Sequence, residues 1–463
     1  MREPIQLPLD QAELSADLGG GLVRRTVHPS GLRVLTERMP GARSASIGFW
    51  IGVGSRDEQA ERPDAPGSLG STHFLEHLLF KGTPTRDAFT IATEFDRIGA
   101  EHNALTAKEY TCYYAKVRDV DLDVAVTMLS DMVANSVLDG EEFETERGVI
   151  LEELAMAADD LADVANERFF EAVLGEHPLG RPIGGWPETI KEANRADVDR
   201  HYRDRYDPST LVVTAAGAVD HDKLVAQIVA ALNASPETRW HTDGSAAPVR
   251  RTQLVDTAVR EAASLDSAMT AEPRVQITER PSEQLNLLIG THGFSANDPH
   301  RFAYGIMNSV LGGGMSSRLF QEIREKRGLA YTAYSFGASY SDSGLFAMYA
   351  GTAPEKAADV IELSRVELRK LADTEISADE LERALGQIAG STALALEDSD
   401  TRMGRLARAE LGSGELFDLD TSLERFAAVT PADIREVAGI LAARPLTVVA
   451  VGDASRSSLS AHG

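Results

Sequence analysis

The sequence predicts an α+β fold made of two homologous mixed α/β domains, and three observations carry that prediction. Its 463 residues exceed the roughly 100–200 of one ordinary core. Apolar residues at 43% and charged residues at 25% give the balance of a folded globular chain. β-forming and helical stretches interleave throughout, and the two sides of the chain repeat one another at a nearly constant spacing.

In order along the chain, residues 1–20 hold Pro4, Pro8 and the start of Gly19-Gly20-Gly21 and read as a flexible lead-in. Residues 32–37 and 45–51 are rich in β-formers and flank Pro40-Gly41, a hairpin-like start. Helical stretches follow near 72–80 and 87–98, then a strand over 110–117, then long helical periodicity over 121–136 and 140–174. Residues 211–217, apolar except for Thr214, read as a buried strand. The first domain therefore covers 21–240. Residues 241–275, polar and alanine-rich without sustained pattern, read as a linker, and 276–463 as the second domain.

The repetition is specific. Asp197 and Gly217 match Asp433 and Gly452, and residues 138–144 match 376–382 at nearly the same offset. Two independent pairs at nearly one offset indicate a duplicated domain.

Charge and cysteine content narrow the function classes. Forty-six basic against 72 acidic residues give a net charge of -26, which disfavours nucleic acid and anionic membranes as partners. No apolar run approaches the ~20 residues of a membrane span. The residues from Met1 to Gln6 include an acid and a proline where a signal peptide needs an apolar run. The single cysteine, Cys112, excludes an internal disulfide and fits a cytoplasmic location.

The chemistry lies in His73-Phe74-Leu75-Glu76-His77. On a helix, positions i and i+4 face the same way, so both imidazoles can ligate one Zn²⁺, while Glu76 can reach a water without being a ligand. This is the inverse of the common zinc-protease order, the inverzincin pattern. The third ligand of a catalytic zinc belongs on a neighbouring element, and the acid-rich stretch 141–154 offers Glu146, Glu152 and Glu153. Glu146 and Glu153 share a face; spacing alone does not choose between 152 and 153.

With Glu146-Arg147-x-Val149-Ile150-x-x-Glu153, the motif resembles the pitrilysin/insulinase family of zinc peptidases, which includes mitochondrial processing peptidase and bacterial relatives. The resemblance extends through Phe80-Lys81-Gly82-Thr83, Asn103-Ala104, residues 177–182, 311–320 and 324–331, and spans about 22–455. It implies His73, His77 and Glu153 as ligands of one Zn²⁺ per chain, Glu76 as general base, and Glu146 behind the ligands. Arg324 and Tyr331 would hold substrate near the zinc, and Asn103 and Ala104 would pair with its backbone. It further implies a half-clamshell chain that assembles as a homodimer around a closed chamber and cleaves oligopeptides or unfolded segments. The competing readings are a noncatalytic scaffold homologue and a processing peptidase active only with a partner subunit. The second domain lacks the metal set: residues 301–314 contain no His-x-x-Glu-His, and Ser391 stands at the position that repeats Glu153.

Overall fold

The computed structural model describes residues 2–18, 20–60, 67–250, 274–457 and 459. The first half contributes strands β1 (Ile5–Gln6), β2 (Glu13–Asp17), β3 (Leu22–Val27), β4 (Arg33–Arg38), β5 (Ser44–Ile51), the short pair β6 (Gly82–Thr83) and β7 (Arg86–Asp87), β8 (Glu101–Thr106), β9 (Thr111–Arg118) and β10 (Leu211–Gly217). Its helices are α1 (Ser71–Leu78), α2 (Ala88–Arg97), α3 (Leu122–Asn135), α4 (Gly140–Asp159), α5 (Leu161–Leu174), α6 (Pro187–Glu192), α7 (Arg195–Arg205) and α8 (His221–Asn233). Seven strands form one sheet in the order β2-β3-β4-β10-β5-β9-β8.

The second half repeats the scheme. Strands β11 (Val275–Glu279), β12 (Leu285–His292), β13 (Ala330–Ser339), β14 (Gly344–Thr352) and β16 (Thr447–Gly452) order as β11-β16-β12-β14-β13, and β15 (Glu415–Leu416) pairs with β1. Its helices are α9 (Arg301–Gly312), α10 (Ala357–Asp373), α11 (Ala378–Ala395), α12 (Ser399–Arg408), α13 (Leu419–Ala427) and α14 (Pro431–Ala443). The fold is the α+β arrangement of two duplicated sheet-plus-helix units. Among the described residues, no helix is long and apolar enough to cross a membrane.

Three features differ from the sequence reading. β4 and β5 are not a hairpin, because β10 lies between them, parallel to β4 and antiparallel to β5. A strand buried along its whole length needs cover on both faces and neighbours on both edges, which a central place supplies. The lead-in is not loose either. β1 bonds to β15, and β2 forms the sheet edge with its charged Glu13 and Asp17 exposed, as suits an edge strand. The helical run 140–174 breaks at Asp160, whose carboxylate caps α5 by accepting from the N–H of Ala162 at 2.9 Å. Of the expected linker 241–275, residues 251–273 lie outside the described residues. Residues 245–250 have no regular structure, and Val249 O accepts from Arg33 at 2.7 Å.

Strand alternation divides each sheet between two cores. On the first sheet Val34, Phe49, Tyr113 and Val213 face Phe74, Leu75 and Leu78 of α1 and Leu129 and Met132 of α3. Their neighbours Leu35, Trp50, Cys112 and Val212 point to the other face, where they meet Met403, Leu406 and Ala407 of α12 from the second half. The second sheet mirrors this. Ile289, Met348 and Val448 pack beneath α9, α10 and α14, while Leu288, Ala347 and Val449 pack on Ala165, Phe169 and Val173 of α5 from the first half. Helix α5 starts at Leu161 and α12 at Ser399, the same offset that relates α4 at Gly140 to α11 at Ala378, so equivalent helices of the two repeats are exchanged.

Two buried carboxylates secure the exchange. Glu410, just after α12, receives Arg25 at 2.8 Å, Arg250 at 3.2 Å and Arg33 at 3.5 Å, with the Arg25, Arg33 and Glu410 side chains wholly buried. Burial pushes the Arg33 guanidinium down to about 10 despite that partner. Glu37 on β4 binds Arg402 and Arg405 of α12 from the opposite direction. Glu410→Gln keeps the shape and leaves the arginines uncompensated. It is expected to lose about 3–5 kcal/mol in urea unfolding, and a loss below about 1 kcal/mol would show that the anion is dispensable.

Candidate metal centre

Helix α1 buries Phe74, Leu75 and Leu78 against the first sheet and turns His73 and His77 toward α4. Its first turn has no cap of its own, since Gly70 precedes it at φ 81°, where only glycine is unstrained. Glu58 supplies the missing acceptor: its carboxylate takes the N–H groups of Gly70 and Thr72, each at 2.8 Å. Burial pushes this carboxyl up to about 7 against the pull of those two bonds. Arg181 Nη2 then donates to the carbonyls of Ser55, Arg56 and Glu58, fixing the turn that carries Glu58.

Three donor atoms converge. His73 Nε2 and His77 Nε2 are 3.3 Å apart, and Glu153 Oε2 on α4 stands 3.5 and 3.4 Å from them. Tetrahedral zinc with bonds of about 2.1 Å sets neighbouring ligands about 3.4 Å apart. The triangle fits that ion. Among the described residues this trio is the one His/Cys/Asp/Glu group placed to hold a metal. Of the two glutamates left open by spacing, Glu153 supplies the third atom. The imidazole of His73 titrates below its usual range because of burial and the neighbouring His77. Its Nδ1 faces Gly184, where any Cβ would stand 3.5 Å away.

Glu146, 3% exposed, accepts from His77 Nδ1 at 2.8 Å and forms an ion pair with Lys81, whose Nζ lies 2.6 Å from its other oxygen. A carboxylate on the far ring nitrogen selects the tautomer that leaves Nε2 free as a ligand. Glu76 Oε2 accepts from Thr106 Oγ1 at 2.5 Å, on edge strand β8. Asn103 and Ala104 lie on that strand, which pairs with β9 along one side and ends the sheet on the other. His102 stacks on Phe95 at 4.1 Å between centroids, a packing role.

Arg324 and Tyr331 are brought to each other rather than to the trio. The guanidinium lies 4.5 Å over the Tyr331 ring and 4.7 Å over Phe320, and Tyr331 is 73% exposed at the start of β13. The glycines 312–314 end α9 and allow close approach: a Cβ on Gly312 would come within 2.1 Å of Ser335 N. Glu58, Lys81, Thr106 and Arg181 went unassigned in the sequence reading. Lys81 lies three residues past the end of α1, and like the others it meets the site only through the tertiary fold.

The insulinase (peptidase M16) family model matches residues 33–185, and the model described as the peptidase M16 inactive domain matches 192–388. An uncharacterised zinc protease of Streptomyces coelicolor is 44% identical over 94% of this chain and 91% of its own. Another, from Bacillus subtilis, is 35% identical over 88% of this chain and 93% of its own. Among solved structures, a Helicobacter pylori protease superposes with a TM-score of 0.79 at 22% identity, covering 92% of this chain and 98% of that one. A peptidase M16 inactive domain from Pseudomonas fluorescens gives 0.78 at 19%, covering 93% and 97%. The chain belongs to the insulinase, or M16, peptidase family.

Glu146→Gln is expected to weaken zinc affinity about 10–100-fold, read by competition with a chromogenic chelator; unchanged affinity would remove its orienting role. Glu58 gives a pH signature. Its carboxyl is raised from 4.5 to about 7, so between those values the folded chain keeps a proton the unfolded chain has lost. Its contribution is full below pH 4.5 and is lost as pH rises through about 7, by roughly 3 kcal/mol. The stability gap between wild type and Glu58→Gln should shift by most of that amount between about pH 5 and 8 in denaturant titrations, and a constant gap would contradict it.

Proposed function

We propose that the chain is a zinc-dependent endopeptidase that hydrolyses peptide bonds in oligopeptides and unfolded segments. The observation that carries this reading is the zinc-sized triangle of His73, His77 and Glu153 donors with Glu76 adjacent to His77 in the chain. Bound there, zinc would supply Lewis acidity toward a peptide carbonyl and toward water. Glu76 takes the proton of the attacking water and delivers it to the leaving amine. Thr106 holds one Glu76 oxygen and so fixes the direction of the other. Glu146 and Lys81 hold the His77 ring in its ligating tautomer.

The free side of β8 at Asn103 and Ala104 receives the substrate backbone as an added strand, which binds main chain without reading side chains. Tyr331 and Arg324 present a phenol and a cation to the substrate from the second half. The name that relatives share, zinc protease, supports the choice of metal and reaction.

The test is cleavage of a mixed library of unstructured peptides, read by mass spectrometry. Wild type should cleave it; Glu76→Gln should be slower by about 10²–10⁴-fold, and chelation should abolish cleavage until zinc is restored. Zinc-loaded wild type that cleaves nothing would overturn this reading in favour of a scaffold or a partner-dependent enzyme.

A further inference from the structure

Among the described residues, the second half adds no atom to the donor trio, yet it reaches the first turn of α1 through a continuous chain of buried polar contacts. The turn joining β13 to β14 places Asp342 against Arg56, with Nη1 3.0 Å from Oδ1 and Nη2 2.9 Å from Oδ2. Arg56 Nη1 also donates to Ser341 Oγ at 3.2 Å and pairs with Glu109 at 2.5 Å. Glu109 in turn accepts from the Ser341 N–H at 3.1 Å and hydroxyl at 2.7 Å. The Arg56 side chain is 6% exposed and that of Asp342 10%, so this is a forked, desolvated pair.

Arg56 sits in the short turn Ser55–Asp57, immediately before the segment that bears Glu58. That turn is pinned on every side: Ser55 and Arg56 N–H donate to the carbonyls of Ala107 and Lys108, and Arg181 binds three of the carbonyls around it. Glu58 leaves it to cap α1 at Gly70 and Thr72, directly before His73. Because Gly70 has no side chain to offer, the helix depends on Glu58 for these first-turn acceptors.

We propose that Asp342 is a positioning residue for the metal centre: through Arg56 and the Glu58 cap, the β13–β14 turn of the second half sets the order of helix α1 and hence the zinc affinity of His73 and His77. The metal function rests on the peptidase reading above; the coupling of Asp342 to α1 does not. Without the Asp342 carboxylate, Arg56 keeps a buried charge with half its partners, and the turn bearing Glu58 shifts to rehydrate it.

The experiment compares full-length wild type, Asp342→Asn and Asp342→Glu with Lys116→Gln, which breaks a different link between the halves, to Asp398 and Asp400. Hydrogen–deuterium exchange of residues 71–78 is measured in metal-free protein, and Zn²⁺ affinity by chelator competition. Asp342→Asn should speed exchange in α1 about 10-fold and weaken zinc about 10-fold. Asp342→Glu should restore most of both, and Lys116→Gln should change neither. Should Asp342→Asn fail to fold, Arg56→Lys, which keeps the charge and loses the fork, is read the same way. Unchanged α1 exchange and zinc affinity in the Asn or Lys variant, or equal effects from Lys116→Gln, would overturn the proposal. A wild type that binds zinc and cleaves no peptide would overturn the peptidase reading alone.

Discussion

Both large β-sheets of this protein are apolar on two faces, and that constraint organises everything else. Alternation along β4, β5, β9 and β10 sends residues such as Phe49 and Val213 into one core and Trp50 and Val212 into another. The helices that each half packs on its own sheet cover one face. For the other, each sheet takes the equivalent helix of the opposite half, α12 for the first sheet and α5 for the second. Burial at roughly 25 cal/mol per Å² makes such cover a large favourable term. It also brings charges into the joint, where Glu410 and Glu37 are tolerable only because arginines surround them.

The exchange bears directly on the metal centre. Helix α4 carries Glu146 and Glu153, and its continuation past Asp160 is α5, which is seated on the second sheet. Helix α1 carries the two histidines and takes its first-turn acceptor from Glu58. Helix α4 also packs Phe143 and Ile150 into the first-half core beside α1, so the third donor is anchored both there and, through α5, across the joint. Preorganising three donors to within a few tenths of an ångström requires both anchors to be stiff.

The two halves share a scaffold but not a residue set. Helices α4 and α11 are related by the same offset as α5 and α12, so the scaffold is repeated helix for helix through this stretch. Ser391 stands where the repeat would place Glu153, and α9 carries no His-x-x-Glu-His. The second half instead offers the exposed Tyr331 stacked with Arg324 and the β13–β14 turn that grips Arg56. Two copies of one fold thus differ in what they carry: the His73, His77 and Glu153 trio in the first, the Tyr331–Arg324 stack and the turn against Arg56 in the second.

The sequence by itself determined the duplication, the buried strand at 211–217 and the alignment of His73 with His77, because each follows from a regular period or repeat of the chain. Spacing left Glu152 and Glu153 open, since two adjacent residues on one helix differ only by which neighbour they face. The tertiary structure decided the rest: that β10 separates β4 from β5, that residues 13–17 form an edge strand, and that Glu58, Thr106 and Arg181 converge on α1 and the turn before it. Those contacts join segments far apart in the chain, as Glu58 to Gly70 and Arg181 to Glu58 show. Periodicity in a sequence shows which face of an element is buried, and only the packed fold sets what that face meets.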